Sequence, residues 1–355
     1  MDVRKLLSAK TDRRRLLGNL GMMGAGAVLT ACGTSVIGQN DQEGQQAPTP
    51  DVDAAILNFA LNLEYLEAAY YLAAVGRLSE LPGYSPEKVI LPEGYDGTDP
   101  NTSLYSPEEL SASTVTKVTK LVGEFANEIA QDELSHVIFL RTALDSVGAP
   151  VAELPIINLS SSFTAAATAA DGLADGGLGF DPNSFNPFAN NTFFLHGAFI
   201  FEDVGVTAYK GAARFITNKD YLEAAAGILA VEAYHAGEVR NFLYSSDQRR
   251  EYRYGGVDIW KVTQAISDAR DSLDGSSDLD QGVANGPLGL TANIVPTDSN
   301  SIVFSRTPLQ VAKIVYLSPD AALSDASFFP QGISIPAGLE GQFAALLNPD
   351  FPNNL

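Results

Sequence analysis

The chain contains three histidines, and two of them follow a glutamate by three residues: Glu133-Leu134-Ser135-His136 and Glu232-Ala233-Tyr234-His235. Chance produces two such pairs among three histidines on the order of 1% of the time. Three residues turn an α-helix by about 300°, so the two side chains of each pair sit about 60° apart, one turn along, and reach one cavity. Two further glutamates, Glu64 and Glu202, fall in the middle of other apolar stretches. Carboxylates with imidazoles are ligands for divalent cations, and the mixture suits iron or manganese. Four carboxylates against two divalent ions leave a neutral site, with the histidines as neutral ligands. The expectation is a site for two metal ions, iron first and manganese next, held by Glu64, Glu133, His136, Glu202, Glu232 and His235.

Such residues need helices to position them. Helical periodicity is expected over 53–75, 114–146, 191–216 and 220–244, with Asp53, Ser113 and Asp220 suited to the helix starts. In the first stretch the apolar stripe runs Leu57, Leu61, Glu64, Ala68, Tyr71, Val75. In the second it runs Phe125, Ile129, Glu133, His136, Leu140, Ala143. The third reads Leu195, Phe199, Glu202, Val206, Tyr209, Ala213, and the fourth Ala225, Ile228, Glu232, His235, Val239, Phe242. Steps of three and four residues keep one face, so each core-facing stripe carries one glutamate where leucine is expected. A lone carboxylate in an apolar core costs several kcal/mol, and four facing one another also repel. A pair of divalent cations resolves all four at once. The fold expected is all-α, a four-helix bundle with a long crossover between its second and third helices, Gly148 to Asn190, and an irregular carboxyl-terminal extension.

There is an internal echo. Glu64 is followed seven residues later by Tyr71, and Glu202 seven residues later by Tyr209. This suggests two helical hairpins about a pseudo-twofold axis. Tyr71 and Tyr209 read either as core tyrosines with a bonded hydroxyl or as groups that hydrogen-bond a metal ligand or relay electrons; no catalytic side chain is singled out. Glu67, one turn from Glu64, is open between a ligand, a partner of a ligand and a solvated residue. Asp132, Asp203, Glu124, Glu128 and Glu238 read as surface carboxylates or partners of the ligands, one of them suited to take the second ring nitrogen of a ligand histidine. His196 reads as a packed histidine near a helix start. Trp260 is expected to pack the tail onto the bundle, and tail helices are expected near 258–273 and 308–317. Asp271, Asp274, Asp278 and Asp280 read as a solvated acidic loop, with calcium binding the alternative although EF-hand spacing is lacking.

At these residues the chain resembles the ferritin-like carboxylate proteins, in which two helices give a glutamate each and two give Glu-x-x-His. Leu57 to Tyr71 and Phe201 to Tyr209 are similar to the branch that includes desiccation- and stress-related proteins. The tail segments Ser305 to Val311, Tyr316-Leu317 and Phe328-Phe329-Pro330 resemble it too. The resemblance implies a ferritin-like four-helix bundle around two iron or manganese ions. The long connection Gly76 to Ala112 and the tail Ser245 to Leu355 depart from ferritin itself and argue against a closed iron-storage cage.

The amino terminus reads as an address. Arg13, Arg14 and Arg15 precede an apolar stretch, Leu16 to Thr30, too short and glycine-rich for a permanent span. The arginine pair resembles a twin-arginine signal. Leu29-Thr30-Ala31-Cys32 resembles a bacterial lipobox, with Cys32 the lipidation site. Residues 1–32 are thus read as the signal, 33–52 as a flexible tether, 53–244 as the bundle and 245–355 as an extension packed on it. The first 31 residues carry six basic and two acidic side chains, so their loss moves the net charge from -21 to -25. An acidic body repels phosphate backbones, so nucleic acid is not an expected partner. Cys32 is the single cysteine, which excludes an internal disulfide and thiolate clusters. The expected partners are metal ions, O2 or H2O2, a membrane through the lipid and, as an oligomer, a homodimer. The expected function is Fe(II) oxidation or peroxide removal in stress protection in the cell envelope. The alternatives are a manganese catalase and a non-enzymatic, metal-braced desiccation scaffold.

Overall fold

The computed structural model describes residues 52–97, 112–248, 253–254, 257–286 and 289–351. The signal, Cys32 and the tether through residue 51 lie outside the described residues. Four long helices appear where the periodicity predicts them: α1 (Asp53–Ala74), α2 (Ala112–Ser146), α4 (Asn191–Ala213) and α5 (Lys219–Gln248). Between α2 and α4 lies a helix the periodicity did not announce, α3 (Ser161–Leu173). The tail adds α6 (Ile259–Asp274), α7 (Pro308–Val315) and α8 (Glu340–Leu346), the last also unannounced. Short apolar segments bounded by turn residues carry too few periods to be read. Among the described residues no helix is long and apolar enough to cross a membrane.

Side-chain pairs fix the direction of each helix. Along α1, Asn58 meets the Pro150 carbonyl, Tyr65 meets Arg141, and Arg77 just past its end meets Gln131. The α2 numbers fall as the α1 numbers rise, so the two helices are antiparallel. Tyr71 meets Glu202 and Tyr209 meets Glu64, so α1 and α4 are antiparallel as well. Only residues 214–218 join α4 to α5, which forces a second antiparallel hairpin. It follows that α2 and α4 run parallel, and the chain between them must return the length of the bundle. That is the physical need for the long crossover.

The starts of α1 and α5 differ from expectation. Asp53 does not cap its own helix; it accepts hydrogen bonds from the backbone N–H groups of Thr217 and Asn218 at 2.8 Å each, holding the α4–α5 turn. Asn218, not Asp220, serves α5, its side-chain oxygen accepting from the Asp220 N–H at 2.9 Å.

α1 and α4 are buried almost all round, whereas α2 and α5 keep exposed faces. A helix enclosed on every side needs outer cover, and crossover and tail supply it. Asn58 accepts from the Ala152 N–H at 2.7 Å, and Asn62 exchanges hydrogen bonds with the Ser334 backbone. β1 (Val89–Ile90) of the first connection pairs in parallel with β2 (Ile157–Asn158) of the crossover.

The tail is locked on by buried charge. Asp203 of α4 pairs with Arg240 at 2.7 Å and Arg270 at 3.2 Å; Arg270 reaches Asp280 at 2.7 Å; Arg306 pairs with Asp280 and, at 2.7 Å, with Asp274. Asp203, Asp274 and Asp280 are therefore buried partners of arginines, not surface or loop carboxylates. The loop spacing gave no sign of this, because all three arginines that neutralise them lie outside it. Arg306 also donates to the Thr207 hydroxyl at 2.8 Å, and its carbonyl presses on Gly211, where a Cβ would overlap it. Trp260 is half-buried against the core, as its apolar neighbours suggested.

Removing Arg306 leaves Asp274 and Asp280 buried with too little positive charge. Arg306→Ala is expected to cost about 3–5 kcal/mol, a fall in Tm on the order of 10 °C. Thermal unfolding followed by circular dichroism checks this, and an unchanged Tm contradicts it.

Candidate metal centre

The four helices bring the predicted glutamates and histidines to one buried point. Glu64, Glu133, Glu202 and Glu232 are each at most 1% exposed, and His136 and His235 are buried with them. Their donor atoms form two groups, each with all atoms within 4.8 Å of one another: Glu64, Glu133, His136 and Glu232 in one, Glu133, Glu202 and His235 in the other. Glu133 belongs to both. His136 presents Nδ1 to Glu64 at 3.1 Å, Glu133 at 3.5 Å and Glu232 at 3.6 Å. His235 presents Nδ1 to Glu133 at 3.0 Å and Glu202 at 3.7 Å. Its Nε2 lies 3.5 Å from Asp132, so this carboxylate is the partner that orients the second ring nitrogen. Glu124, Glu128 and Glu238 are exposed and stand apart.

The tyrosines cross over. Tyr71 of α1 donates to Glu202 of α4, and Tyr209 of α4 donates to Glu64 of α1. Seven residues advance a helix by about 10 Å. In an antiparallel pair each glutamate is therefore level with the other helix's tyrosine. Glu64 then has Oε1 on Tyr209 and Oε2 toward His136; Glu202 has Oε1 on Tyr71 and Oε2 toward His235. Burial pushes both phenols well above their usual range, so they remain donors.

Electrostatics shows a site short of positive charge. Burial raises Glu64 to about 7 and Glu202 to about 8, with Glu133 repelling both. Glu67 and Glu232 are pushed well above the carboxylate range, by burial first and then by Glu133. Burial disfavours charge on the histidines too, but Glu64 and Glu202 outweigh it and carry His136 to about 11 and His235 to about 10. Glu133, also disfavoured by burial, is lowered overall because both histidines face it. Although His235 Nδ1 lies 3.0 Å from Glu133, the geometry makes no hydrogen bond, and Glu133 Oε1 and Oε2, Glu202 Oε2, both Glu232 oxygens and His235 Nδ1 are left without one among the described residues. Buried polar atoms left unmatched in one place, all of metal-ligand type, fit a pair of cations.

A family model for the ferritin-like domain matches residues 52–245. The chain belongs to the ferritin-like family. It is 26% identical over 265 residues to the desiccation-related protein PCC13-62 of Craterostigma plantagineum, covering 73% of this chain and 76% of that one. It is 24% identical over 289 residues to the ferritin-like catalase Nec2 of Nesocodon mauritianus, covering 79% and 83%. No solved structure is significantly similar to it.

Within this ferritin-like frame the remaining candidates separate. Glu67 is buried, which removes the solvated reading, and it lies at the edge of the site outside both donor groups. His196 is also buried, but its Nδ1 faces the Thr192 carbonyl at 2.7 Å and it joins neither donor group. Sequence reasoning passed over Gly205, where a Cβ would overlap Glu232 Oε2. Its signal was available: Gly205 follows Glu202 by three residues, the place Glu67 takes after Glu64.

The pH dependence of the metal-free protein has a definite sign. Glu64, Glu202, His136 and His235 all have raised folded values, so their stabilisation is complete below the unfolded values of 4.5 and 6.5. It is lost as pH rises through 7, 8 and beyond. Glu133, lowered, contributes a constant amount throughout that window. The Tm of metal-free protein should therefore fall between pH 5 and pH 9. Ligands must shed protons to bind metal, so the Tm gained on adding Mn(II) should be larger at pH 8 than at pH 6. Calorimetry at the two pH values checks both, and an equal gain contradicts the site.

Proposed function

We propose that this ferritin-like protein holds two redox-active metal ions, iron or manganese, and removes hydrogen peroxide. The carrying observation is the pair of donor groups that share Glu133. They supply four and three donor residues, short of the roughly six positions of each octahedral ion. Positions left to small exchangeable molecules mark reactive sites, whereas structural sites are saturated by protein. Bound iron or manganese supplies the two-electron exchange with peroxide that no side chain here can perform. The protein's part is placement. Tyr71 and Tyr209 each hold one carboxylate oxygen of Glu202 and Glu64 and aim the other at a histidine. Glu133 stands between the two groups, and Asp132 steadies His235. The relative named as a ferritin-like catalase supports disproportionation, with manganese the metal to test beside iron.

The relative named as desiccation-related favours a second reading, a bundle that metal merely braces. One assay separates them. Protein loaded with Mn(II) or Fe(II) should bind close to two ions and consume H2O2 over many turnovers, with O2 evolved. Glu133→Ala should lose most of the metal and lower the rate roughly 100-fold. Absence of turnover with either metal, combined with a large fall in Tm on chelation, establishes the scaffold.

We further propose that the protein is exported by the twin-arginine route and held to the cell envelope by lipid on Cys32, on the support of Arg13, Arg14 and the lipobox-like Leu29 to Cys32. Cys32→Ser should move the protein from the membrane fraction to the soluble envelope fraction. Unchanged membrane association of that variant refutes the anchor.

A further inference from the structure

The repeat that relates α1 to α4 is broken at one position. Glu64 is followed by Glu67, whereas Glu202 is followed by Gly205. A Cβ at Gly205 would overlap Glu232 Oε2 and lie 3.2 Å from Glu67 Oε1. The Glu232 carboxylate thus lies directly against the Gly205 backbone, in the space a side chain would need. Gly205 also lines a cavity of about 20 Å³, walled by Leu63, Leu66 and Val204 on the bundle side and by Ile314, Val315 and Phe328 on the tail side. Glu67 is its single ionisable lining residue. The cavity is therefore walled by apolar side chains except at its inner end, where it meets the Gly205 backbone and the Glu67 carboxyl group beside the centre.

The size and lining of this space suit a small neutral occupant. A water needs about 10–15 Å³, so at about 20 Å³ the cavity has room for a molecule as small as H2O2. The apolar walls disfavour ions, which lose hydration there. H2O2 is neutral, has two heavy atoms, and finds in Glu67 a hydrogen-bonding group at the inner end. Three of the ten lining residues, Ile314, Val315 and Phe328, come from the tail, where the Phe328 N–H donates to the Val315 carbonyl at 3.0 Å.

We propose that this cavity is the way in for H2O2, that Glu67 is the group it meets at the inner end beside Glu232, and that the tail closes one side of the route. The inference rests on the peroxide reading above, but its test does not. Crystals of the full chain pressurised with xenon should show one xenon atom among Leu66, Val204 and Val315, with or without metal. Val315→Phe fills the cavity from the tail, away from every metal ligand. It should exclude the xenon, keep wild-type metal content, and lower kcat/KM for H2O2 ~10-fold or more. Where Val315→Phe does not fold, Val315→Leu adds one methylene to the same wall and is read the same way. Nitric oxide added to Fe(II)-loaded protein reports access without turnover, through the rate at which its optical band appears. That rate should fall in parallel in the filled variant. A wild-type cavity that takes no xenon, or a filled variant with unchanged nitric oxide and peroxide rates, overturns the proposal. Loss of nitric oxide access in the variant of a protein inert to peroxide upholds the route and defeats only the peroxide reading.

Discussion

Five carboxylates, Glu64, Glu67, Glu133, Glu202 and Glu232, lie buried together at the centre of this bundle, with two imidazoles between them. Water is excluded there, so their mutual repulsion is weakly screened, and each carries a desolvation cost of several kcal/mol. Every other feature answers this cluster. The metal-free site answers with protons, which is why burial lifts four of the five acids. The proposed pair of cations answers with charge placed where the unmatched oxygens already point. The two buried tyrosines answer with hydrogen bonds that fix one oxygen of Glu64 and one of Glu202 and leave the other free to coordinate.

A cluster of this kind needs helices that cannot move apart. α1 carries Glu64 and Glu67, α4 carries Glu202, and both helices are buried almost all round by the crossover and the tail. The crossover and tail dock on Asn58 and Asn62 of α1, and an arginine–aspartate network ties α5, α6 and the approach to α7 to Asp203 and Thr207 of α4. Asp203 is the residue after Glu202, so the same turn of helix offers one carboxylate to the centre and its neighbour to the tail. A buried network of this type is costly to half-remove and specifies one arrangement when complete. Here it specifies where α7 and Phe328 stand, and so the outer wall of the cavity that reaches the centre.

The pseudo-twofold relation between the hairpins is close but not complete. The crossed tyrosine–glutamate pairs obey it, and so do the two Glu-x-x-His turns. Glu67 and Gly205 break it: α1 adds a buried carboxylate, whereas α4 offers bare backbone against which Glu232 packs.

The bundle and its six donors were legible in the chain because both are local properties. A glutamate in an apolar stripe, and a histidine three residues on, follow from helical periodicity, which needs no knowledge of neighbours. The caps were less legible: Asp53 serves a turn some 160 residues away in sequence, and no local pattern reports that. Much the same holds for Asp203, Asp274 and Asp280: Arg270 is near two of them in sequence, but Arg240 and Arg306 reach them only in the fold. The Glu–Tyr interval of seven was visible, but which tyrosine serves which glutamate was decided by the antiparallel arrangement of α1 and α4. Gly205 stood in plain view as a glycine in a helix; that Glu232 packs against it and that it lines a cavity depends on Glu232, Ile314 and Phe328 arriving from three other parts of the chain. The amino-acid order by itself determined which atoms are available to a metal pair and on which helix faces. Tertiary packing decided how those atoms are oriented, what encloses them and from which side they are reached, because these depend on distances between elements that periodicity along one element cannot encode.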